Sequence, residues 1–358
     1  MRLDPNVSLA SVIASLETQI PTLMQQAAVV GLSMALIQDA HVVWQQGFGF
    51  KNKETHQPIT ADTVFEAASL SKPLFAALAL QLCASGRLNL DTPLTQYLSE
   101  PYLPNDSRHQ LITARHVLSH TTGFPNWRKD QPLQTHFTPG ERFSYSGEGY
   151  VYLQRVIEQL TGQSLAELSR LMVLEPLRMT NSSYIWLDQY ASQAAQTYNE
   201  QGEVAEKFKP AQANAAYSLH TTCTDFAQFM LVFMEAASEN SDFFPAGLAA
   251  DMVQPQVQVN DLAAWHPTWP NPQMPLTEGV YWGLGWGIEQ QPERHAFWHW
   301  GDNGSSQALA LGLPQQGLGL LVMSIGGRPL EIWPTIVQST IGGTHPALDW
   351  LIKVYTPG

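Results

Sequence analysis

The amino-acid sequence predicts an α+β fold: an antiparallel sheet built from both chain ends and flanked by helices, with an inserted, mostly helical domain. Three observations lead there. Strand-like runs lie near the N-terminus and again in the last third of the chain. Between them, apolar residues recur mainly at helical spacing. Short polar turns separate the strand runs, which suits hairpins and therefore antiparallel pairing. On this reading residues 1–62 and 210–358 form the sheet domain, residues 63–209 form the helical domain, and an active site lies between them.

The elements follow in order. Leu9 to Gln26 has helical spacing. Gly31 to Ile37 and His41 to Gly47 flank Gln38-Asp39-Ala40, a hairpin signal. Ser69 to Ala84 reads as an apolar helix that stops at Gly86. Ala114 to Ser119 and Gly149 to Leu160 are further helices, the latter ending at Thr161-Gly162. Ser164 to Leu174 follows, with Glu167 placed for a capping box with Ser164. Residues 186–215 are expected to loop over the surface. Thr221 to Met234 is a helix with Thr222 or Thr224 as its N-cap. The proline-rich stretch 254–278 is expected to be a long loop. Strand runs return at Tyr281–Ile288, Ala296–Trp300, Gln307–Leu313 and Leu318–Ile325, and a last helix covers Pro329–Ile341.

Composition removes several functions. Lys+Arg total 18 against 31 Asp+Glu in 358 residues, a formal net charge of −13. Only seven lysines occur, and none between Pro210 and Ile352. Nucleic-acid binding needs a basic stripe that displaces counterions, and a polybasic membrane anchor needs clustered cations. Neither is present, so no nucleic-acid and no membrane partner is expected. The first residues hold no unbroken apolar stretch, and no run of about 18 apolar residues exists, so a cytoplasmic protein without a membrane span is expected. Cys83 and Cys223 cannot build a disulfide framework and read as small buried core residues.

The sharpest local feature is Ser69-Leu70-Ser71-Lys72 at the head of the apolar run Leu74 to Leu80. On a helix, residues three apart share a face, so Lys72 is brought toward the Ser69 hydroxyl. A serine needs a base to become a nucleophile, and a lysine is a base only where burial or a nearby cation lowers its pKa. The pattern by itself also fits an N-capping serine with a snorkelling lysine. Two other segments bear on the choice. Tyr145-Ser146-Gly147 lies in a turn before a helix, and His299-Trp300-Gly301 ends a strand before Asp302-Asn303-Gly304.

Ser-x-x-Lys, then Tyr-Ser-x, then His-x-Gly, in that order, resembles the serine beta-lactamase and penicillin-binding superfamily. The resemblance is closest to the class C beta-lactamase-like hydrolases, which include esterases, D-aminopeptidases and carboxypeptidases. Leu118-Ser119-His120-Thr121-Thr122-Gly123 is similar to that family's Leu-Ser-His-Thr-Ser-Gly segment. Pro176-Leu177-Arg178-Met179 is similar to its Pro-Leu-Gly-Met segment, with Arg178 in place of glycine. Leu219 to Asp225 matches its serine/threonine-rich helix entry, and the match runs in order from about residue 30 to 325.

The resemblance implies a beta-lactamase/transpeptidase-like fold and a serine hydrolase acting through an acyl-enzyme. Ser69 would be the nucleophile and Lys72 its general base. Tyr145 would share proton transfer, with a phenol pKa depressed by neighbouring cations. His299 would take the place of the lysine in the family's Lys-Thr-Gly motif, helping the Tyr145 hydroxyl and the substrate's polar end. Backbone N–H groups of Ser69 and Asp302 would form the oxyanion hole. His120, Gly147 and Gly301 come with the motifs as substrate-side positions. Trp300 lies inside the third motif, and Trp127 follows the His120 segment, so both are expected at the cleft as part of an aromatic pocket.

Two departures shift the substrate. Gly147 replaces the asparagine that would bind a substrate amide, and His299 replaces the lysine of a carboxylate clamp. Both favour small esters, with small amides next, over lactams and peptides; a beta-lactamase or a D-stereospecific peptidase or carboxypeptidase is the alternative within the family. A non-catalytic penicillin-binding-like sensor is the alternative of another class. His116/His120 and His295/His299 have zinc-like spacing but no His-Glu-x-x-His context, so no metal and no cofactor are expected. The expected partner is a small-molecule substrate.

Overall fold

The computed structural model describes residues 8–103, 106–199, 201–234, 243–245, 247–260, 275–292 and 294–355. Helix α1 (Leu9–Gln26), capped by the Ser8 side chain, leads into β1 (Gly31–Gln38), β2 (His41–Asn52) and β3 (Gln57–Pro58). The turn between β1 and β2 is Asp39-Ala40, both at positive φ (52° and 58°). That is the two-residue turn whose twist suits a hairpin.

Next come β4 (Phe65–Ala68), α2 (Ser71–Ala84), α3 (Ala114–Leu118), α4 (Gly147–Thr161), α5 (Leu165–Ser169) and α6 (Tyr190–Gln193). A small ribbon of β5 (Thr197–Tyr198) and β6 (Val204–Ala205) precedes β7 (Leu219–Thr221), α7 (Cys223–Met234) and α8 (Leu248–Met252). The chain then forms β8 (Val257–Asn260), β9 (Leu276–Trp282), β10 (Gly287–Gln291), β11 (Arg294–Asp302), β12 (Ser306–Leu313) and β13 (Leu318–Ile325), and ends in α9 (Trp333–Thr340) and α10 (Pro346–Tyr355).

Among the described residues one nine-stranded sheet runs β3-β2-β1-β13-β12-β11-β10-β9-β8, antiparallel throughout. The two chain ends meet at its centre, where Gly31 pairs with Ile325 and Gln38 with Leu318. Successive side chains alternate between faces. Ala35 and Ile37 of β1, with Leu321 and Met323 of β13, join the core that holds α2, α4 and α7. Leu32, Met34, Leu36, Leu320 and Val322 join the opposite core, under α1, α9 and α10. Cover on both faces explains why all eight residues of β13 are buried and apolar or small.

Several expectations are corrected by tertiary contacts. The run Tyr281–Ile288 is two strands, since Gly287 pairs back onto Trp282. Gly285, at φ 93°, turns the chain, and a Cβ there would lie 2.4 Å from that of Ala76. Thr222, not Thr224, caps α7 by accepting the Asp225 N–H at 3.1 Å. Only half of the capping box at α5 forms: Ser164 accepts the Glu167 N–H, while the Glu167 carboxylate pairs with Arg170. The stretch 186–215 holds α6 and the β5–β6 ribbon. It is tied down by Lys51, Lys53 and Lys207, whose ammonium groups donate to the carbonyls of Ser192, Gly202 and Ala194. In the stretch expected to loop, β8 covers Val257–Asn260, and residues 261–274, with Trp265 and Trp269, lie outside the described residues. Cys223 is buried as expected, but Cys83 is only half-buried.

Arg178 has φ 55°. This left-handed conformation disfavours any residue with a Cβ, which accounts for a glycine in the similar family segment. Arg178→Gly is expected to stabilise the fold by about 0.5–1 kcal/mol, the strain removed less the backbone entropy glycine adds. Urea unfolding measures this, and an equal or lower midpoint would contradict it.

Candidate active site

The site begins with a strained turn. β4 ends at Ala68, whose φ of 54° is unusual for a residue with a side chain. The turn places Ser69 ahead of α2, so the helix starts two residues later than its spacing suggested. Lys72 N–H still donates to the Ser69 carbonyl at 3.0 Å, which keeps the two residues one turn apart. Ser71 does not compete as a cap. Its hydroxyl donates to the Ala68 carbonyl and accepts the Leu219 N–H at 3.0 Å, binding the turn to β7.

Lys72 Nζ lies 3.0 Å from Ser69 Oγ and donates to the Ala216 carbonyl at 2.8 Å. Its side chain is buried (1 % exposed) and no carboxylate pairs with it among the described residues. Burial holds its pKa well below the usual lysine value of 10.5. The result is an amine that can accept the Ser69 proton. The amine sits 4.7 Å from the centre of the Tyr145 ring and 5.7 Å from that of Tyr150.

Tyr145 follows a loop and precedes α4, whose N-cap Ser146 accepts the Gly149 N–H and donates to the Pro125 carbonyl. Such a cap contributes about 1 kcal/mol and fixes the chain beside it. Tyr145 lines the cavity with Ser69. Its pKa is raised by burial, the Ser69 side chain opposing this only in part. The depressed phenol pKa implied by the resemblance is therefore corrected: burial, not a neighbouring cation, sets the Tyr145 pKa, and Tyr145 is a neutral phenol.

His299 is corrected too. It is fully buried, and its Nδ1–H donates to the Trp300 carbonyl at 2.7 Å. Nε2 is buried with no hydrogen-bond partner among the described residues. Burial, then the nearby Lys72, keeps its pKa well below the usual histidine value. The ring lies behind the cavity wall, 6.2 Å from the Tyr145 ring centre, and is not among the residues that line the cavity. His120 is likewise buried, not substrate-facing. It stacks on Tyr145 at 4.2 Å, and its Nδ1 accepts the Ser146 N–H at 3.0 Å, so it positions Tyr145 from behind.

Both motif glycines act as spacers. A Cβ on Gly301 would lie 2.2 Å from the Ala67 carbonyl oxygen and 3.2 Å from Ser69 N. Glycine therefore lets β11 approach the Ser69 turn closely. β10 pairs with β11 only as far as Trp298, so His299 to Asp302 pair on the β12 side alone. The Ser69 N–H donates to no group among the described residues, as an oxyanion donor requires. A Cβ on Gly147 would lie 2.4 Å from the Trp127 indole, so this position is sealed rather than open to substrate.

A cavity of about 640 Å³ opens onto Ser69, Lys72 and Tyr145. Trp127 and Trp300 line it together with Asp302. The Trp300 Nε1–H donates to the Tyr355 hydroxyl at 2.9 Å. Burial raises the Asp302 pKa, opposed by hydrogen bonds from Gly304 N–H, Tyr355 and Gln307. Sequence reasoning missed Asn126, Asn214, Tyr217, Asn303 and Tyr355 on the same walls. Asn126 adjoins Trp127 and could have been noticed there. Asn303 likewise adjoins Asp302, whereas Asn214, Tyr217 and Tyr355 come from distant segments with no local signal.

The histidine pairs have other roles. His116 Nδ1 lies against Leu111 O and Thr113 N, and His295 and His299 stand about 13 Å apart along β11. No helix among the described residues is long and apolar enough to cross a membrane.

Comparison with known proteins agrees with this geometry. Among solved structures, D-alanine carboxypeptidase AmpC from Burkholderia cenocepacia superposes with a TM-score of 0.76 at 18% identity, covering 93% of this chain and 99% of that one. The octameric penicillin-binding protein homologue from Pyrococcus abyssi gives 0.74 at 22% identity, covering 92% and 78%. At these identities the likeness speaks for the fold. In sequence, esterase EstB of Burkholderia gladioli is 28% identical over 217 residues, 51% of this chain and 55% of that protein. A beta-lactamase of Pseudomonas fluorescens is 29% identical over 234 residues, 62% and 64% respectively. The matches thus span between half and two thirds of those two relatives' length. The profile of the Beta-lactamase family matches residues 16–333, a span that takes in the Ser69 turn, the Tyr145 loop and β11 together, and the chain belongs to that family.

Proposed function

We propose that the chain is a serine hydrolase that works through an acyl-enzyme on small esters. The observation that carries the reading is the buried, unpaired Lys72 amine 3.0 Å from the Ser69 hydroxyl. Lys72 takes the Ser69 proton as Oγ bonds to the substrate carbonyl carbon. The tetrahedral oxyanion is held by the N–H groups of Ser69 and Asp302. As the C–O bond to the leaving group breaks, the Tyr145 hydroxyl protonates the departing oxygen and is reprotonated from the Lys72 ammonium. Water then attacks the acyl-enzyme carbonyl, its proton passing to Lys72; as the bond from the acyl carbon to Ser69 Oγ breaks, the Lys72 ammonium returns that proton to Oγ, and the acid leaves with Ser69 and Lys72 restored.

The ester preference rests on the cavity lining. Among the described residues Lys72 is the lone lysine or arginine of the lining and is committed to proton transfer, while Asp302 disfavours a substrate carboxylate. Gly147 contributes no side-chain amide. Lactams and D-amino-acid peptides carry the carboxylate this lining does not welcome. Faster turnover of nitrocefin than of p-nitrophenyl esters would reverse the order in favour of a beta-lactamase.

A fluorophosphonate is expected to add one adduct to the wild-type protein by intact mass and none to Ser69→Ala. No adduct on wild type would leave the sensor alternative, and an adduct that persists in Ser69→Ala would remove Ser69 as the nucleophile.

A further inference from the structure

We propose that Asp302 and the aromatic rings beside it bind an ammonium group on the alcohol side of the substrate, so that the preferred esters are those of amino alcohols of the choline type. This deepens the serine-hydrolase reading above and rests on it. Asp302 is half-buried and lines the cavity with Ser69. Its Oδ1 accepts the Gly304 N–H at 2.7 Å, and its Oδ2 accepts the Gln307 side-chain N–H at 3.2 Å. Both donors are neutral, and no lysine, arginine or histidine pairs with this carboxylate among the described residues. A carboxylate withdrawn from water is stabilised by a positive charge at hand. It accepts about four hydrogen bonds, so these two donors, with the Tyr355 side chain, leave room for a ligand.

The geometry also says which side of the ester the carboxylate serves. Tyr145, which protonates the departing alcohol oxygen, has its ring 5.0 Å from that of Trp300. Trp300 donates its Nε1–H to the Tyr355 hydroxyl at 2.9 Å, and both residues line the cavity with Asp302. The alcohol therefore departs toward these three. Asp302 follows Gly301, where a Cβ would lie 3.2 Å from Ser69 N, so the carboxylate is within the reach of a short alcohol chain. Aromatic rings attract a cation through the negative potential of their faces and suit the methyl groups of a quaternary ammonium. Trp127 and Tyr217, whose rings meet at 5.6 Å, extend the aromatic lining. Trp300 is braced by the rings of Trp298 and Trp350, each 5.8 Å away, so this wall stands before any ligand arrives and binding orders little.

The charge of the whole chain has the same sign. Its formal net charge is −13, and none of its seven lysines lies between Pro210 and Ile352, the stretch that supplies β8 to β13. The field of such a chain draws cations toward it and slows the approach of anions. The preference is thereby the reverse of that of a carboxylate clamp.

The test compares acetylcholine with its uncharged isostere 3,3-dimethylbutyl acetate, which has carbon in place of the nitrogen, by acetate release. Normalised to the hydroxide rates of the two esters, wild-type kcat/KM should favour acetylcholine by about tenfold or more. Tetramethylammonium chloride should inhibit p-nitrophenyl acetate hydrolysis competitively, beyond any effect of sodium chloride at equal ionic strength. Asp302→Asn keeps an oxygen for the Gly304 N–H and removes the charge, so the ratio should fall about tenfold. The ratio cancels whatever the substitution does to both esters alike. Turnover of p-nitrophenyl acetate with no normalised preference for acetylcholine, with no specific inhibition by tetramethylammonium, or with a wild-type ratio in Asp302→Asn overturns the proposal and leaves the hydrolase reading intact. Turnover of none of the three esters by wild type sinks the hydrolase reading itself. The wild-type measurements decide the matter even if the variant fails to fold.

Discussion

Lys72→Met is expected to lower kcat/KM on p-nitrophenyl esters by about 10³- to 10⁴-fold, the share of the rate that a positioned general base supplies. Methionine is similar in length and apolar, so the tunnel between Ser69, Ala216 and the rings of Tyr145 and Tyr150 stays filled. A loss below tenfold would show that another group takes the Ser69 proton.

The same variant has a pH signature. In the unfolded chain Lys72 keeps its proton up to about 10.5, whereas burial makes the folded protein release it well below that. Between those limits the unfolded state holds the extra proton. Raising the pH removes it there, so stability rises with pH across this window and falls as pH drops toward the folded value. The slope approaches about 1.4 kcal/mol per pH unit. Wild-type activity on esters should rise with pH through the same folded value, because only the free amine can act as base. Urea unfolding at several pH values should show the slope in wild type and its loss in Lys72→Met. Parallel curves for the two proteins would mean that Lys72 is protonated in the fold.

Gly301→Ala is expected to be the most damaging change that alters no reacting group. The new Cβ would sit 2.2 Å from the Ala67 carbonyl oxygen, which is backbone and cannot rotate away. β11 must retreat from the Ser69 turn, and the gap between the Ser69 and Asp302 N–H groups widens with it. A displacement near 1 Å costs on the order of 100-fold in rate, and overpacking costs about 1–3 kcal/mol in stability. Steady-state kinetics with urea unfolding reads both. Unchanged kcat/KM would show that the close approach of β11 is not needed for the reaction.

Much of the fold could be read from local pattern. The hairpin at Asp39-Ala40, the apolar helix after Lys72 and the run Leu318–Ile325 are all signals within one segment. The split of Tyr281–Ile288 was not legible, because its apolar run is continuous and the turn is set by Ala76, two hundred residues earlier. Helix α10, which brings Tyr355 to the cavity, was also missed. Its amphipathic pattern is short, and its partners Trp300 and Asp302 lie on β11.

The seven lysines show the division. Sequence alone determined that this protein is poor in cations, that one lysine follows a serine by three residues, and that no lysine could occupy the third motif. Those are facts of spacing and count, carried by the chain itself. Tertiary structure decided what the charges do. Lys51, Lys53 and Lys207 hold backbone carbonyls of a surface stretch, while Lys72 is buried and has no counter-ion among the described residues. Burial likewise made Tyr145 a neutral phenol and withdrew His299 from the cavity, and two distant loops brought Asn126 and Asn214 beside Ser69. A pKa and a hydrogen-bond partner depend on what surrounds a group in space, and that environment is assembled from segments far apart in the chain.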